Sequence, residues 1–423
     1  MPILAKVALV FVVFIDIIGQ GLVFPIINTL VMDPAAGFMP QSASTAARQL
    51  TFGIVIGSFF IAWTIGAPYV SQLSDIIGRK RAMLICLFGA MFGYGLTIIA
   101  LYVNSLPLLI VGRLITGFTA GNQPIAQAAL VDASANAEER ARNMGLIMIG
   151  TSMGLIGGPL LGGLLSSPAL LGSVANFKLP FFAALFLVVV TTLMVALFFH
   201  DIKTGRGKYV FHPLEIVDIF AKLARYPTVM RLTAALFFFH IANVTFYIFV
   251  ENYLTTRFGF GEVENSLVFA TIGLAIILSS TYLIVPAHRR FSKRHIIVGT
   301  MVVWTLSVAL FIASPIAWLC FVPVFTFYFV FGVAYPTMLA MFSHSVPDEE
   351  QGWVMGMSLV VFTAVGGILA VMGGWLSGLD LDLPFYIVIG SALSCILAIR
   401  FAWTTPKVRE IADQRAPAPA AGT

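Results

Sequence analysis

The chain has 423 residues, of which 59% are hydrophobic and 10% charged, against about a quarter charged in an ordinary soluble protein. That balance excludes a soluble globular enzyme and points to an all-α, polytopic membrane protein. The formal charge of +5 does not signal nucleic acid, because the basic residues stand in short clusters between long apolar runs, where loop charges belong.

Runs of about 20 apolar residues predict twelve spans, near 5–31, 50–73, 82–103, 106–131, 143–167, 179–200, 228–254, 265–286, 295–313, 316–343, 353–377 and 383–404. The first is too long for a signal-peptide core and holds Asp16, so it reads as a retained helix. Residues 32–49 form a polar loop. A charged connection at 201–227 splits the spans six and six. The expected organisation is an N-terminal bundle (1–200), a cytoplasmic linker (201–227), a C-terminal bundle (228–405) and a tail (406–423) that looks disordered. With the N-terminus inside, all but four of the 24 Lys and Arg residues fall in or beside inside segments; the exceptions are Arg48, Arg113, Lys178 and Arg257. The positive-inside rule therefore puts both termini in the cytoplasm. Cys86, Cys320 and Cys395 lie singly in apolar stretches, which suits packing and offers no disulfide framework.

The halves repeat. RNMGLIMIG against WVMGMSLVV sets Gly145 on Gly356, and the same offset sets Gly162 and Gly163 on Gly373 and Gly374, and Glu138 and Glu139 on Glu349 and Glu350. Two parallel six-helix repeats about an axis along the membrane normal suit a transporter.

Several residues could carry chemistry. In the first span Asp16 and Gln20 share a face, within Asp16-x2-Gly19-x-Gly21-x3-Pro25. A carboxylate at this depth faces the bundle interior and can carry a proton, accept a structural hydrogen bond or bind a cationic substrate. In the fourth span Arg113, Gly117, Ala120, Pro124 and Gln127 fall on one side of an uninterrupted helix, and Asn122 and Gln123 are polar candidates for the cavity. In the seventh, His240, Tyr247 and Glu251 form a stripe with Asn243 nearby; the imidazole is either a proton carrier or a packed core side chain. Tyr328 and Tyr335 share a face of the tenth span.

Gly154, Gly158 and Gly162 recur every four residues, a side-chain-free stripe that lets another helix approach closely. The pattern Gly145-x8-Gly154-x3-Gly158-Pro159-x2-Gly162-Gly163 resembles the antiporter motif of major facilitator drug:proton antiporters. GAPYVSQLSDIIGRKR (66–81), with Asp75, Gly78, Arg79 and Lys80, resembles the loop motif after their second helix, departing from it at Ser71 and Ile76. Arg113-x3-Gly117 is similar to their arginine motif, and the Asp16 pattern to that of tetracycline-type efflux proteins. The resemblance implies twelve helices in two pseudo-symmetric six-helix bundles, and a conformational latch in which Arg79 meets acids such as Asp132 or Glu139, beside Arg140. It also implies proton coupling through Asp16 with Arg113, His240 and Glu251, and export of a small lipophilic or amphipathic molecule by alternating access. Tetracycline efflux proteins carry a histidine in helix 8 and an aspartate in helix 9, where this chain has Ile276 and Trp304.

The expected protein is not an enzyme, uses no cofactor or metal beyond a proton gradient, and works as a monomer in the lipid bilayer of an inner membrane. The alternatives are a proton-coupled importer of a nutrient or siderophore, and a non-transporting receptor or scaffold.

Overall fold

The computed structural model describes residues 1–134, 137–167, 171–201, 220–347 and 350–413. Every extended element among them is helical, as a bilayer demands of a chain that must satisfy its own backbone. Ten helices among the described residues are long and apolar enough to cross a membrane. The first and fourth expected spans make up the twelve, and each is two helices in series: Ile3–Gly21 with Val23–Met32, and Leu106–Phe118 with Asn122–Asp132.

The continuous spans exceed their apolar cores. The second runs Thr45–Ile77 and the fifth Ala137–Ser166, straight through Pro159. The seventh runs Pro227–Phe258 and the eleventh Gln351–Leu379. The third, Arg79–Tyr102, starts directly after Gly78, whose φ of 97° suits a residue without a side chain. The eighth begins at Glu262 and passes through a π-helical turn, Ser279–Leu283, before ending at Arg290. The sixth, ninth, tenth and twelfth are Leu179–Phe198, Lys293–Ala313, Phe321–Ser343 and Leu383–Ala402.

The tail is a correction. Pro406–Asp413 forms a helix that buries Val408, Ile411 and Ala412, and Asp413 pairs with Arg294 at 2.9 Å. The apolar stripe of that helix overrode its polar composition. Residues 414–423, and 202–219 of the linker, lie outside the described residues.

Packing divides the chain into two units. The first is Met1–Glu215 with Glu251–Ala270 and Ala370–Leu379; the second is Ile216–Val250 with Thr271–Leu369 and Asp380–Thr423. In the first unit, spans 2 and 11 meet through glycine. A Cβ on Gly53 would stand 2.3 Å from the Ala370 carbonyl oxygen, and one on Gly374 2.6 Å from that of Gln49. In the second, aromatic stacking fills the interior, with Trp304 and Phe327 parallel at 4.2 Å.

Candidate functional site

The break in span 4 creates the site around Asp16. Pro124 lacks an N–H and cannot bond back to the preceding turn, but it is tolerated in the first turn of a new helix. The chain therefore ends one helix at Phe118 and restarts at Asn122. A restart leaves N–H groups without intrahelical partners, and the helix dipole favours negative charge there. Asp16 takes that place: the Gln123 backbone N–H donates to its Oδ2 at 2.9 Å, and Asn122 Nδ2 donates to its Oδ1 at 3.2 Å. Arg113 stands on the first of these helices and Gln127 on the second.

Arg113 is 2% exposed, and Phe59 lies flat against its guanidinium at 4.3 Å. Gly117 explains the approach, since a Cβ there would sit 2.2 Å from the Phe59 carbonyl oxygen. The arginine and glycine of the motif thus act together: the glycine admits span 2, and span 2 covers the charge. The Nε and Nη2 atoms have no hydrogen-bond partner among the described residues. Tyr94, which the sequence did not single out, places its hydroxyl 2.0 Å from where a Cβ of Gly19 would be. Tyr94 of span 3 can only approach span 1 so closely because residue 19 is glycine. The side chain of Gln20 lies outside the described residues.

The glycine stripe of span 5 lies on span 1. Cβ atoms on Gly150, Gly154, Gly158 and Gly162 would stand 2.8, 2.9, 2.9 and 2.9 Å from the carbonyl oxygens of Val10, Phe14, Ile18 and Leu22. The two parallel helices keep one four-residue register over three turns, so the helix that carries Asp16 rests backbone to backbone on the motif. Gly150 extends the stripe one turn beyond the expected pattern, whereas Gly145 has nothing within 4 Å of such a Cβ. Gly163 is buried in the same helix. Ser266 Oγ donates to the Pro159 carbonyl oxygen at 2.7 Å.

The latch residues gather at the other end of this unit. Arg79 pairs with Asp75 at 2.6 Å and with Asp132 at 3.6 Å. Glu139 pairs instead with Lys6 at 3.0 Å, and Lys6 also reaches Asn143 Oδ1 at 3.0 Å. Asp201 accepts the Lys80 backbone N–H at 2.8 Å and stands against Gly78. The side chain of Arg140 lies outside the described residues.

In the second unit His240 is 1% exposed and sits among rings, with Phe362 at 5.4 Å, Phe239 at 5.9 Å and Tyr335 at 5.9 Å. Among the described residues neither ring nitrogen has a hydrogen-bond partner, nor has the hydroxyl of buried Tyr328 or Oδ1 of Asn243. Tyr335 stacks on Phe331 at 5.3 Å, and Tyr247 is half-buried. Trp304 donates its indole N–H to the Phe327 carbonyl at 2.8 Å. Glu251 belongs to the first unit, where Asn28 Nδ2 approaches it at 3.4 Å. It is fully buried. No group of three His, Cys, Asp or Glu among the described residues could hold a metal.

The Major Facilitator Superfamily model matches residues 9–289 and 232–421. The chain belongs to the major facilitator superfamily. Among curated proteins it is 26% identical over 414 residues to the class C tetracycline resistance protein of Escherichia coli, covering 95% of this chain and 98% of that one. It is 22% identical over 394 residues to the quinolone resistance protein NorA of Staphylococcus aureus, covering 92% and 94%. Among solved structures, a D-xylose–proton symporter superposes with a TM-score of 0.73 at 13% identity, over 96% of this chain and 98% of that one.

This major facilitator protein is therefore a multi-pass membrane transporter of small molecules and not an enzyme. Of the expected residues, the structure brings together Asp16, Asn122 and Gln123, and separately Arg79, Asp75 and Asp132. Lys6, Asn143, Asp201 and Tyr94 were not legible, because each acts through a partner far along the chain.

Proposed function

We propose that this protein exports small amphipathic molecules in exchange for protons, by alternating access. The observation that carries this reading is the contact between the antiporter-type glycine stripe and the helix that bears Asp16. The proton site is Asp16: its carboxylate stands on donors supplied by the break in span 4, and Arg113 is buried in the same unit. Coupling then arises because protonated and ionised Asp16 bind those donors differently in the two states. Each charge moved through 100 mV contributes about 2.3 kcal/mol.

The cargo class follows from similarity to tetracycline and quinolone resistance proteins. Tetracycline itself fits less well, since Trp304 is buried and its N–H is committed to Phe327. In the second unit His240, Asn243, Tyr247, Tyr328 and Tyr335 supply ring faces and polar atoms for such a cargo. The protein acts as a monomer in a cytoplasmic membrane with both termini inside, binds no nucleic acid and needs no cofactor beyond the gradient.

Proteoliposomes of known sidedness under an imposed pH gradient provide the test. Dye or fluoroquinolone moving out of the cytoplasmic compartment against its gradient as protons enter supports the reading. Accumulation in the same direction as the protons would replace it with symport.

A further inference from the structure

In the second unit, spans 8 and 10 carry irregularities that the reading above does not use. Span 8 widens into the π-helical turn Ser279–Leu283 just ahead of Pro286, which has no N–H for the Tyr282 carbonyl. Span 10 runs through Pro336, which likewise leaves the Gly332 carbonyl without its helical donor. The two weak turns interlock. Ser280 Oγ donates to the Gly332 carbonyl oxygen at 3.3 Å, and a Cβ on Gly332 would stand 2.0 Å from Ser279 Oγ. Nearer the basic end of span 8, half-buried His288 stands against buried Thr337 of span 10. Its Nδ1 lies 2.8 Å from the Ile284 carbonyl oxygen and its Nε2 3.0 Å from Thr337 Oγ1. Thr337 Oγ1 in turn lies 2.6 Å from the Val333 carbonyl oxygen.

We infer that His288 is a positioning residue that ties span 8 to span 10 when it is protonated and slackens the tie when it is neutral. The hydrogens decide this. A carbonyl oxygen only accepts, so Nδ1 must carry a hydrogen to bond Ile284. In the neutral ring Nε2 then has only a lone pair, and it competes with the Val333 carbonyl for the single hydrogen of the Thr337 hydroxyl. In the imidazolium Nε2 donates to Thr337 Oγ1, the hydroxyl turns to Val333, and every contact becomes a hydrogen bond. The bond from the charged ring is also the stronger kind. It acts on two helices that each already lack a backbone hydrogen bond at a proline, where local opening is easiest.

The π turn, span 9 and span 10 pack against residues 284–290. Their titratable and charged groups are Tyr282, then Lys293, Arg294 and His295 at the start of span 9, and Tyr328 and Tyr335 of span 10. Arg289 and Arg290 follow His288 on its own helix. No carboxylate stands on any of these elements. Arg294 is paired with Asp413, and His295 Nδ1 with Ser292 Oγ. Among the described residues it is therefore the Thr337 hydroxyl that answers a proton on Nε2.

This tie is separate from the proton coupling proposed at Asp16, and the test keeps the two apart. Full-length protein in lipid nanodiscs is followed by hydrogen–deuterium exchange from about pH 5 to pH 8, the interval in which histidine changes charge. Labelling times are scaled to the intrinsic exchange rate at each pH. Peptides covering 279–290 and 332–343 are expected to exchange several-fold more slowly at the acid end. Thr337→Val, which removes the hydroxyl at similar volume, is expected to erase that difference, and Thr337→Ser to restore it. His288→Gln, which never carries charge, is expected to erase it too; should that variant misfold, the Thr337 pair decides the matter. Asp16→Asn is expected to keep the difference intact. No pH difference in the wild type, the same difference in Thr337→Val, or its loss in Asp16→Asn would overturn the inference.

Discussion

Asp16 and His240 are both ionisable side chains set deep in apolar helices, yet they are held in opposite ways. Asp16 receives a backbone N–H and an amide N–H, and span 4 is interrupted to supply them. His240 receives no hydrogen bond on either nitrogen among the described residues and is walled by Phe239, Tyr335 and Phe362. A site that must accommodate charge needs preorganised donors, and their absence costs several kcal/mol for a buried ion. The first unit has built such donors. The second has built ring faces, which suit contact with a planar molecule.

That contrast can be broken most directly at Asp16. Asp16→Asn is expected to reduce uphill export in proteoliposomes to background while downhill counterflow of the same cargo persists. Equal loss of both would mean the acid binds cargo and does not couple to protons. Next in size is the platform that holds it. Gly158→Val places a side chain where a Cβ already meets the Ile18 carbonyl at 2.9 Å, and overpacking of this kind costs about 1–3 kcal/mol. A lowered melting temperature in detergent is expected, with a smaller drop for Gly145→Val, whose site is open. His240→Phe should be milder. Removing two unpartnered nitrogens while keeping a ring is expected to change stability by less than about 1 kcal/mol, and a pH gradient should still drive export. Loss of coupling there would erase the distinction drawn between the two sites.

The smallest effect concerns Glu350 at the surface. The Lys222 ammonium, hydrogen-bonded to its carboxylate, holds that carboxyl below its usual range, and the Tyr226 hydroxyl assists. A lowered folded-state value contributes stability that is present above the unfolded value, near 4.5, and is lost as pH falls through the folded one. Glu350→Gln should therefore lower the melting temperature slightly at pH 7, and the difference from wild type should vanish at acid pH.

Hydropathy made all twelve spans legible, because burial in lipid imposes a single requirement on every one of them. Span ends were less so: Thr45–Ile77 outruns the expected 50–73 because its polar first and last turns extend beyond the apolar core. The interruption of span 4 was signalled by Pro124, but a proline inside an apolar run bends a helix as often as it divides one, as the unbroken course through Pro159 shows. The spacing of Gly154, Gly158 and Gly162 announced a close approach, and the same spacing extended back to Gly150. What no local pattern could supply was the identity of the opposite surface. Partnerships such as Lys6 with Glu139 and Asp201 with Lys80 join residues over a hundred positions apart.

The matched register of spans 1 and 5 has a mechanical consequence. The glycine notches of span 5 recur about once per turn against successive carbonyls of span 1, so a slide of less than about 5.4 Å would drive the larger side chains between them into the facing backbone. The pair can tilt as a single strut, but it cannot shear. Asp16 therefore travels with the fifth helix, and whatever exposes it to one side of the membrane or the other must rearrange the helices around that strut.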